Sequence, residues 1–355
     1  WAYVDKEPLV ISVPAIGDIP GTSKPRYYSL QLAAFDSDNF AYIGTRTTGN
    51  GAGHYAITPK GWQGRLPSNV KFLAEAPTPW FLILGRTLVT SNEDFPAVAA
   101  LMHQFDLRTL GDFENNVHRR PPAPALTPVP HYKKEQLALV SNFWSIANGA
   151  MTANPPGQED ARLMRFFRDI EVGPGRDLSG LGEGMRRGLD RAVLRGLTLL
   201  PEVNQTNFGT KLVNGWKYPP MDYGRAGVNG AWLTRASLQS LGGIVANDPE
   251  EAVYIVAHAD SGGQLLNGKS HYRIHFAKDQ IPPVKAFWSM SLYDNTNNLV
   301  DNALNRYSLG DRSPGLVFNP DGSLTLYVGH ELPEGAAKSN WLPAPADEFY
   351  LVLRA

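Results

Sequence analysis

The stretch 43–57 reads IGTRTTGNGAGHYAI, and it is the most ligand-like run in the chain. Gly49, Gly51 and Gly53 stand at every second position after a Thr-rich run that carries Arg46. A phosphate-cradling loop needs backbone N–H groups aimed at the anion and a helix opening behind them. Here the glycines lead into HYAIT, which reads as a strand, and no lysine follows before Lys60. The dinucleotide fingerprint also needs an acid about 20 residues on, at a strand end. Glu75 is the nearest, and it sits in a Pro-rich loop. A nucleotide site is therefore not expected. The plain reading is a glycine turn or bulge. The functional reading is a loop that brings Arg46, Thr47 and Thr48 to a pocket edge, where a guanidinium binds a carboxylate or sugar hydroxyl.

Other groupings are weaker. Asp260, Asp294, Asp301 and Asp311 end or follow predicted strands, and two carboxylates flanking a bond suit glycoside hydrolysis, as one carboxylate or Tyr base suits a lyase. Turns favour Asp and Asn for their own reasons, and that accounts for DSGG, YDNTNN and NPDGS. His271 and His275 lie on one face of a predicted strand about 13 Å apart, too far to share a metal without a bend. No GxSxG elbow is present; GLGEG at 180–184 lacks the serine. Trp288, Tyr293, Tyr307, Tyr327 and Trp341 form either a sandwich core or a stacking platform for rings.

The elements that must position these groups are mostly short strands. Residues 1–90 give PLVISVP, RYYSLQLAAF, NFAYIGTR, HYAIT and WFLILGRTLV, each bounded by turn residues. In 94–110 the period changes: Phe95, Val98, Met102 and Phe105 recur at helical spacing. RRPPAPALTPVP at 119–130 is the clearest break, because five prolines in twelve residues favour an extended segment. Helical patterns follow at 133–151, 158–170, 178–200 and 229–246, and from 251 the chain returns to strands, with NPDGS as a hairpin signal. The expected organisation is a β-rich domain at 1–118, a linker at 119–131, a helical section at 132–250 and a sandwich at 251–355 whose motifs begin near 215.

With 355 residues the chain is long enough for two ordinary cores. A hydrophobic content of 43% argues against wholesale disorder, and a net charge of -1 gives no field for nucleic acid. The eight Arg between Arg162 and Arg195 are interleaved with seven acids, which reads as ion-paired helix faces. The absence of cysteine removes disulfides, thiolate nucleophiles and thiolate metal sites. No apolar run is long enough to span a bilayer. The opening WAYVDKEPLV has neither a starter Met nor a leader pattern, which suggests a processed or trimmed chain.

PLVISVP, RYYSLQL, NFAYIGTRTTGNGAGHYAI and WFLILGRTLV resemble the bacterial domain-of-unknown-function family 1254. GWKYPP, WLTRA, PEEAVYIVAHADSGGQLLNG, FWSMSLYD, NRYSLGDRSPGL, NPDGSLTLY and NWLPAP resemble the companion family 1214. The resemblance implies two β-rich domains with helices between them and a periplasmic or secreted location. It also implies a longer N-terminal segment, and often a tail, in other members. Family members often carry an Asp after RYYSLQL, close to Asp36 here. No activity is established for the family as a class.

The fold expected is α+β and β-rich, with a mixed N-terminal β domain, a central helical section and a C-terminal antiparallel, jelly-roll-like β-sandwich. The leading functional expectation is a hydrolase or lyase acting on a small polar or carbohydrate-like molecule in an inter-domain cleft. Arg46, Tyr28, Asp36 and Tyr293 are its candidate catalytic residues, and Thr47, Thr48, Trp288 and Arg306 its candidate binding residues. No organic cofactor, nucleic acid or membrane span is expected; a metal and a homo-oligomer are left open. The alternative is a non-catalytic ligand- or glycan-binding or assembly protein that uses the C-terminal sandwich.

Overall fold

The computed structural model describes residues 1–125, 140–206, 210–242 and 245–355. The later part of the proline-rich segment and the start of the predicted helix at 133 lie outside them. The chain divides into two units, 1–204 with 224–246 and 205–223 with 247–355.

Among the described residues the N-terminal unit holds eight strands: β1 (Ala2–Tyr3), β2 (Leu9–Val13), β3 (Tyr28–Ala34), β4 (Asn39–Gly44), β5 (Gly53–Thr58), β6 (Val70–Glu75), β7 (Trp80–Thr87) and β8 (Asp106–Thr109). They make two four-stranded sheets, β1-β7-β3-β4 and β6-β5-β2-β8. Alternate residues explain how they pack. Leu9, Ile11, Val13, Tyr55 and Ile57 from one sheet share a core with Tyr28, Leu30, Leu32, Ile43 and Phe81 from the other. Each such side chain, fully buried, contributes about 1.5–3 kcal/mol. The opposite face of β3 is polar but also covered. Gln31 Nε2 donates to Asn39 Oδ1 at 2.7 Å and to the Ala246 carbonyl at 2.8 Å, and Arg86 donates to its Oε1 at 2.8 Å. A fully satisfied buried amide of this kind fixes β3 and tethers the end of segment 224–246.

The helix expected over 94–110 is shorter than its periodicity suggested. Helix α1 (Phe95–Met102) ends at Met102, and Asp106–Thr109 becomes β8, antiparallel to β2. Leu107 packs against the main core while Arg108 turns to the other face, so pairing with β2 imposes a two-residue period. The short α2 (Leu110–Glu114) follows, capped by Thr109 Oγ1, which accepts the Asp112 N–H at 3.2 Å. The central helices are α3 (Val140–Ala153), α4 (Ala161–Arg168), α5 (Glu183–Gln205) and α6 (Trp232–Gly242). Val172, Leu178 and Leu189 make a small separate core with Trp144, Met151 and Phe167.

The C-terminal unit holds β9 (Lys211–Val213), β10 (Trp216–Tyr218), β11 (Tyr254–Ala257), β12 (Tyr272–Phe276), β13 (Ser289–Asp294), β14 (Ser308–Gly310), β15 (Leu324–Gly329), β16 (Trp341–Pro343) and β17 (Phe349–Arg354). A six-stranded sheet, β14-β13-β17-β11-β10-β9, shares a core with the three-stranded β12-β15-β16. Met290, Leu292, Leu351 and Leu353 meet Leu324, Leu326, Val328 and Leu342 there. One pairing departs from the antiparallel expectation: β15 and β16 run parallel, which the long return through 330–340 permits. The NPDGS turn is present, with Gly322 at φ 84°, yet it closes a single bridge, Phe318 to Leu324, rather than a hairpin ladder. The fold is therefore α+β and β-rich, with a helical region that follows the N-terminal strands in chain order and precedes most of the C-terminal ones.

Candidate functional site

Two clusters carry chemistry, one in each unit. In the N-terminal unit the register of β3 on β4 shifts between Leu32 and Ala33, and the strands close through the Asp36–Asp38 turn. Ser37 takes φ 77° there, and Asp36 Oδ1 accepts the Asp38 N–H at 3.2 Å. Bulges of this kind re-aim side chains at functional edges. Asp38 is buried and accepts the Gly227 and Val228 N–H groups at 3.1 and 2.7 Å. Arg235, from α6, lies 3.4 Å from Asp38 and 3.7 Å from Asp36. A Cβ at Gly227 would stand 2.0 Å from the Arg235 guanidinium, so only glycine admits this approach. Asp160 completes the group: one of its carboxyl oxygens is buried without a hydrogen-bond partner. Loss of water raises the pKa of Asp36, helped by the Asp38 charge and opposed by Arg235. Asp160 is raised by the same loss of water and by Glu159, while Arg235 and a hydrogen bond from Trp232 pull the other way.

The glycine loop sits at the other end of β3. The N–H groups of Thr47, Thr48 and Gly49 all converge on the Gly44 carbonyl, at 3.0, 2.9 and 3.0 Å. Thr47 Oγ1 donates to the Tyr42 carbonyl, and Thr48 Oγ1 accepts the Gly44 N–H. The Tyr28 ring is fully buried and its hydroxyl donates to the Gly49 carbonyl at 3.1 Å. Arg46 is exposed, with its guanidinium 5.0 Å above the Tyr42 ring. Tyr28, Arg46, Thr47 and Thr48 are therefore neighbours. Asp36 is not among them, because the length of β3, about 20 Å for seven residues, intervenes.

In the C-terminal unit Trp288 is core, 5.7 Å from the Phe276 ring, and its backbone N–H binds Asp311 at 3.0 Å. Arg306 grips the backbone carbonyls of Lys338 and Trp341. Asp260 and Asp294 accept N–H groups of their own turns. Among the described residues no group of three or more His, Cys, Asp or Glu is set to hold a metal. Tyr293 differs from the rest. The register of β13 on β17 sets it opposite Tyr350, and their rings stack at 5.4 Å and 17°. His258, one residue past β11, lies 4.9 Å from Tyr350 on its other side. Three upright rings thus cross three strands.

Beside them is a recess of about 150 Å³ lined by His258, Leu265, Asn295, Asn297, Glu348 and Tyr350, among others. The Tyr350 hydroxyl donates to the Asn297 side-chain oxygen at 3.0 Å. Burial lowers the pKa of His258, with the Lys217 charge adding to the effect, so the imidazole is neutral near neutral pH. Burial raises the Tyr350 pKa, with Tyr293 and Asp294 contributing. The recess thus offers a neutral imidazole, two amides, a carboxylate and a phenol around an apolar floor, a set suited to hydroxyl groups on a small ring.

Sequence reasoning selected Tyr293 and Asp36 and missed their companions. His258 and Tyr350 are adjacent to Tyr293 only through sheet register. Asp38 stands two residues from Asp36 and was legible as part of the same turn, whereas Asp160 and Arg235 had no local signal.

A β-rich α+β protein with two sheet assemblies and no helix, among the described residues, long and apolar enough to cross a membrane is the class these features define. The model for a protein of unknown function, DUF1254, matches residues 1–109, and a second, DUF1214, matches 251–355. The chain thus carries both of these domains of unknown function, DUF1254 first and DUF1214 second. Its fold is similar to the crystal structure of the VPA0106 protein from Vibrio parahaemolyticus, with a TM-score of 0.72 and 24% identity over 99% of this chain and 81% of that one. An uncharacterised protein from Burkholderia cenocepacia aligns over 99% of this chain and 69% of its own at a TM-score of 0.45 and 14% identity. No curated protein matches.

Proposed function

We propose that the C-terminal unit binds a small, polyhydroxylated ring, a carbohydrate-like ligand, in the recess beside His258 and Tyr350. The observation that carries this reading is the grouping of Asn295, Asn297 and Glu348 around Tyr350, which stacks on Tyr293, and the tilted His258 ring. Amides and carboxylates take the paired donors and acceptors of vicinal hydroxyls, and ring faces and apolar side chains take C–H faces. Titration calorimetry of the full chain against a panel of neutral monosaccharides tests it. Binding at millimolar concentration is expected, weakened by Tyr350→Ala and by Asn297→Ala without loss of fold. A panel with no binder, or a binder indifferent to both changes, would falsify the assignment.

A second reading, acid–base catalysis as a hydrolase or lyase, is favoured by Asp36 and Asp160. Loss of water raises both carboxyls beside a guanidinium, and a carboxyl raised in this way can serve as a general acid. Asp36→Asn and Asp160→Asn would then each abolish turnover of any substrate identified, while leaving ligand affinity at Tyr350 unchanged. A periplasmic or secreted location belongs to the same proposal; it rests on the family resemblance and is checked by cell fractionation.

A further inference from the structure

The second face of the sheet β6-β5-β2-β8, turned away from the main core, carries a polar corner. Ser12 on β2 is opposite His54 on β5 and Asp106 on β8, so the three form one cross-strand row. Ser12 Oγ and His54 Nδ1 are 2.8 Å apart. Arg108 lies two residues beyond Asp106 on β8, and by alternation its side chain shares that face. Phe113 from α2 joins the row: the His54 ring meets it edge-on at 4.9 Å, and the Arg108 guanidinium lies over it at 5.0 Å. Imidazole and guanidinium are therefore brought to the same ring. Asp106 touches Arg108 Nε at 2.7 Å and His118 Nδ1 at 3.5 Å.

The Arg108 side chain is only 8% exposed. Its Nη1 is buried and has no hydrogen-bond partner among the described residues, and its Nε contact with Asp106 is not aligned as a hydrogen bond. Buried polar atoms are nearly always satisfied, and a guanidinium has a fork whose shape matches a carboxylate. The donor is thus unused, on the sheet face that carries the Ser12 hydroxyl and the His54 imidazole.

We propose that this corner binds a monoanionic carboxylate, one oxygen on Arg108 Nη1 and the other on the Ser12 hydroxyl. Asp106 already balances the guanidinium charge, so a monoanion adds one negative charge to this corner whereas a dianion such as phosphate adds two. The Ser12 hydroxyl carries one proton. When that proton goes to the ligand, His54 Nδ1–H must donate to Ser12 Oγ, so binding selects one histidine tautomer. The site is separate from the His258 recess and does not depend on the reading of that recess.

The test uses full-length protein with isotope-labelled histidine, His54 being assigned through His54→Gln. Acetate is titrated at constant ionic strength set with chloride. A saturable shift of the His54 ring toward the Nδ1–H tautomer is expected, with Ser12→Ala weakening acetate about tenfold. Arg108→Lys, which keeps the charge and loses the fork, should abolish saturation, and phosphate should give none. An acetate response no greater than that of chloride, or one unchanged in Ser12→Ala, overturns the proposal. Should Arg108→Lys fail to fold, the Ser12→Ala titration alone decides.

Discussion

Arg26 and Asp94 meet through two parallel contacts of 2.7 Å, whereas Arg108 reaches Asp106 through Nε alone. Both arginines are buried in the N-terminal unit, yet they are built to different ends. Arg26 also donates to the Leu88 carbonyl, and Asp94 accepts the Thr90 N–H and hydroxyl, each at 3.0 Å. Both side chains of that pair are about 5% exposed, and neither is among the described side chains that leave a buried polar atom without a partner. It clasps the strand β3 entry to the start of α1. The Arg108 pair leaves a donor unspent. A saturated pair reads as architecture, and an unsaturated one beside a serine and a histidine reads as a place for something else to bind.

Breaking the clasp should give the largest effect. Asp94→Asn leaves the Arg26 charge buried and should cost about 3–5 kcal/mol, read from urea midpoints. A loss near zero would erase the contrast. Titration sharpens it next. Hydrogen bonds from Arg26 first, then from Thr90, hold the Asp94 carboxyl well below the usual carboxylate range. Its folded pKa is depressed, so its stabilisation is complete above the unfolded value of about 3.9 and is lost as pH falls through the folded value. Unfolding free energy measured from pH 5 downward should therefore drop more steeply in wild type than in Asp94→Asn; parallel curves would count against the pair. Thr90→Val removes one charged hydrogen bond at an exposed position and should cost about 1 kcal/mol in the same urea assay. Arg108→Lys should have the smallest effect, within about 1 kcal/mol of wild type, because it keeps the charge beside Asp106 and forfeits the Nε contact and the stacking on Phe113 but no aligned hydrogen bond. If it matches Asp94→Asn, the two pairs are alike after all.

Strand identity was legible because turn residues bracket short apolar runs; burial was not. RYYSLQL reads as an alternating, one-sided strand, but every residue of β3 is buried, since the polar face lies under Ala246, more than 200 residues on. Tyr28 was chosen for its phenol, and its ring lies in the core. Over 94–110 the helical spacing of Phe95, Val98 and Met102 is borne out by α1, but Phe105 belongs to the approach to β8, whose partner β2 lies far back in the chain. The site followed the same rule. Asp36 could be read from its turn, and Tyr293 from its aromatic neighbourhood. Arg235, His258 and Tyr350 reach them by tertiary placement or register, for which a single sequence has no local mark.

The division of the chain sets a timetable for its birth. Residues 205–223 belong to the C-terminal unit, yet 224–246 return to the N-terminal one. As the chain leaves the ribosome, Asp38 waits for Gly227, Val228 and Arg235, and Gln31 waits for Ala246. In the meantime β9 and β10 emerge without the strand β11 they will join. The first unit is therefore completed only after the second has begun, and a stalled or truncated chain ending before residue 246 carries an unfinished N-terminal unit as well as a missing C-terminal one.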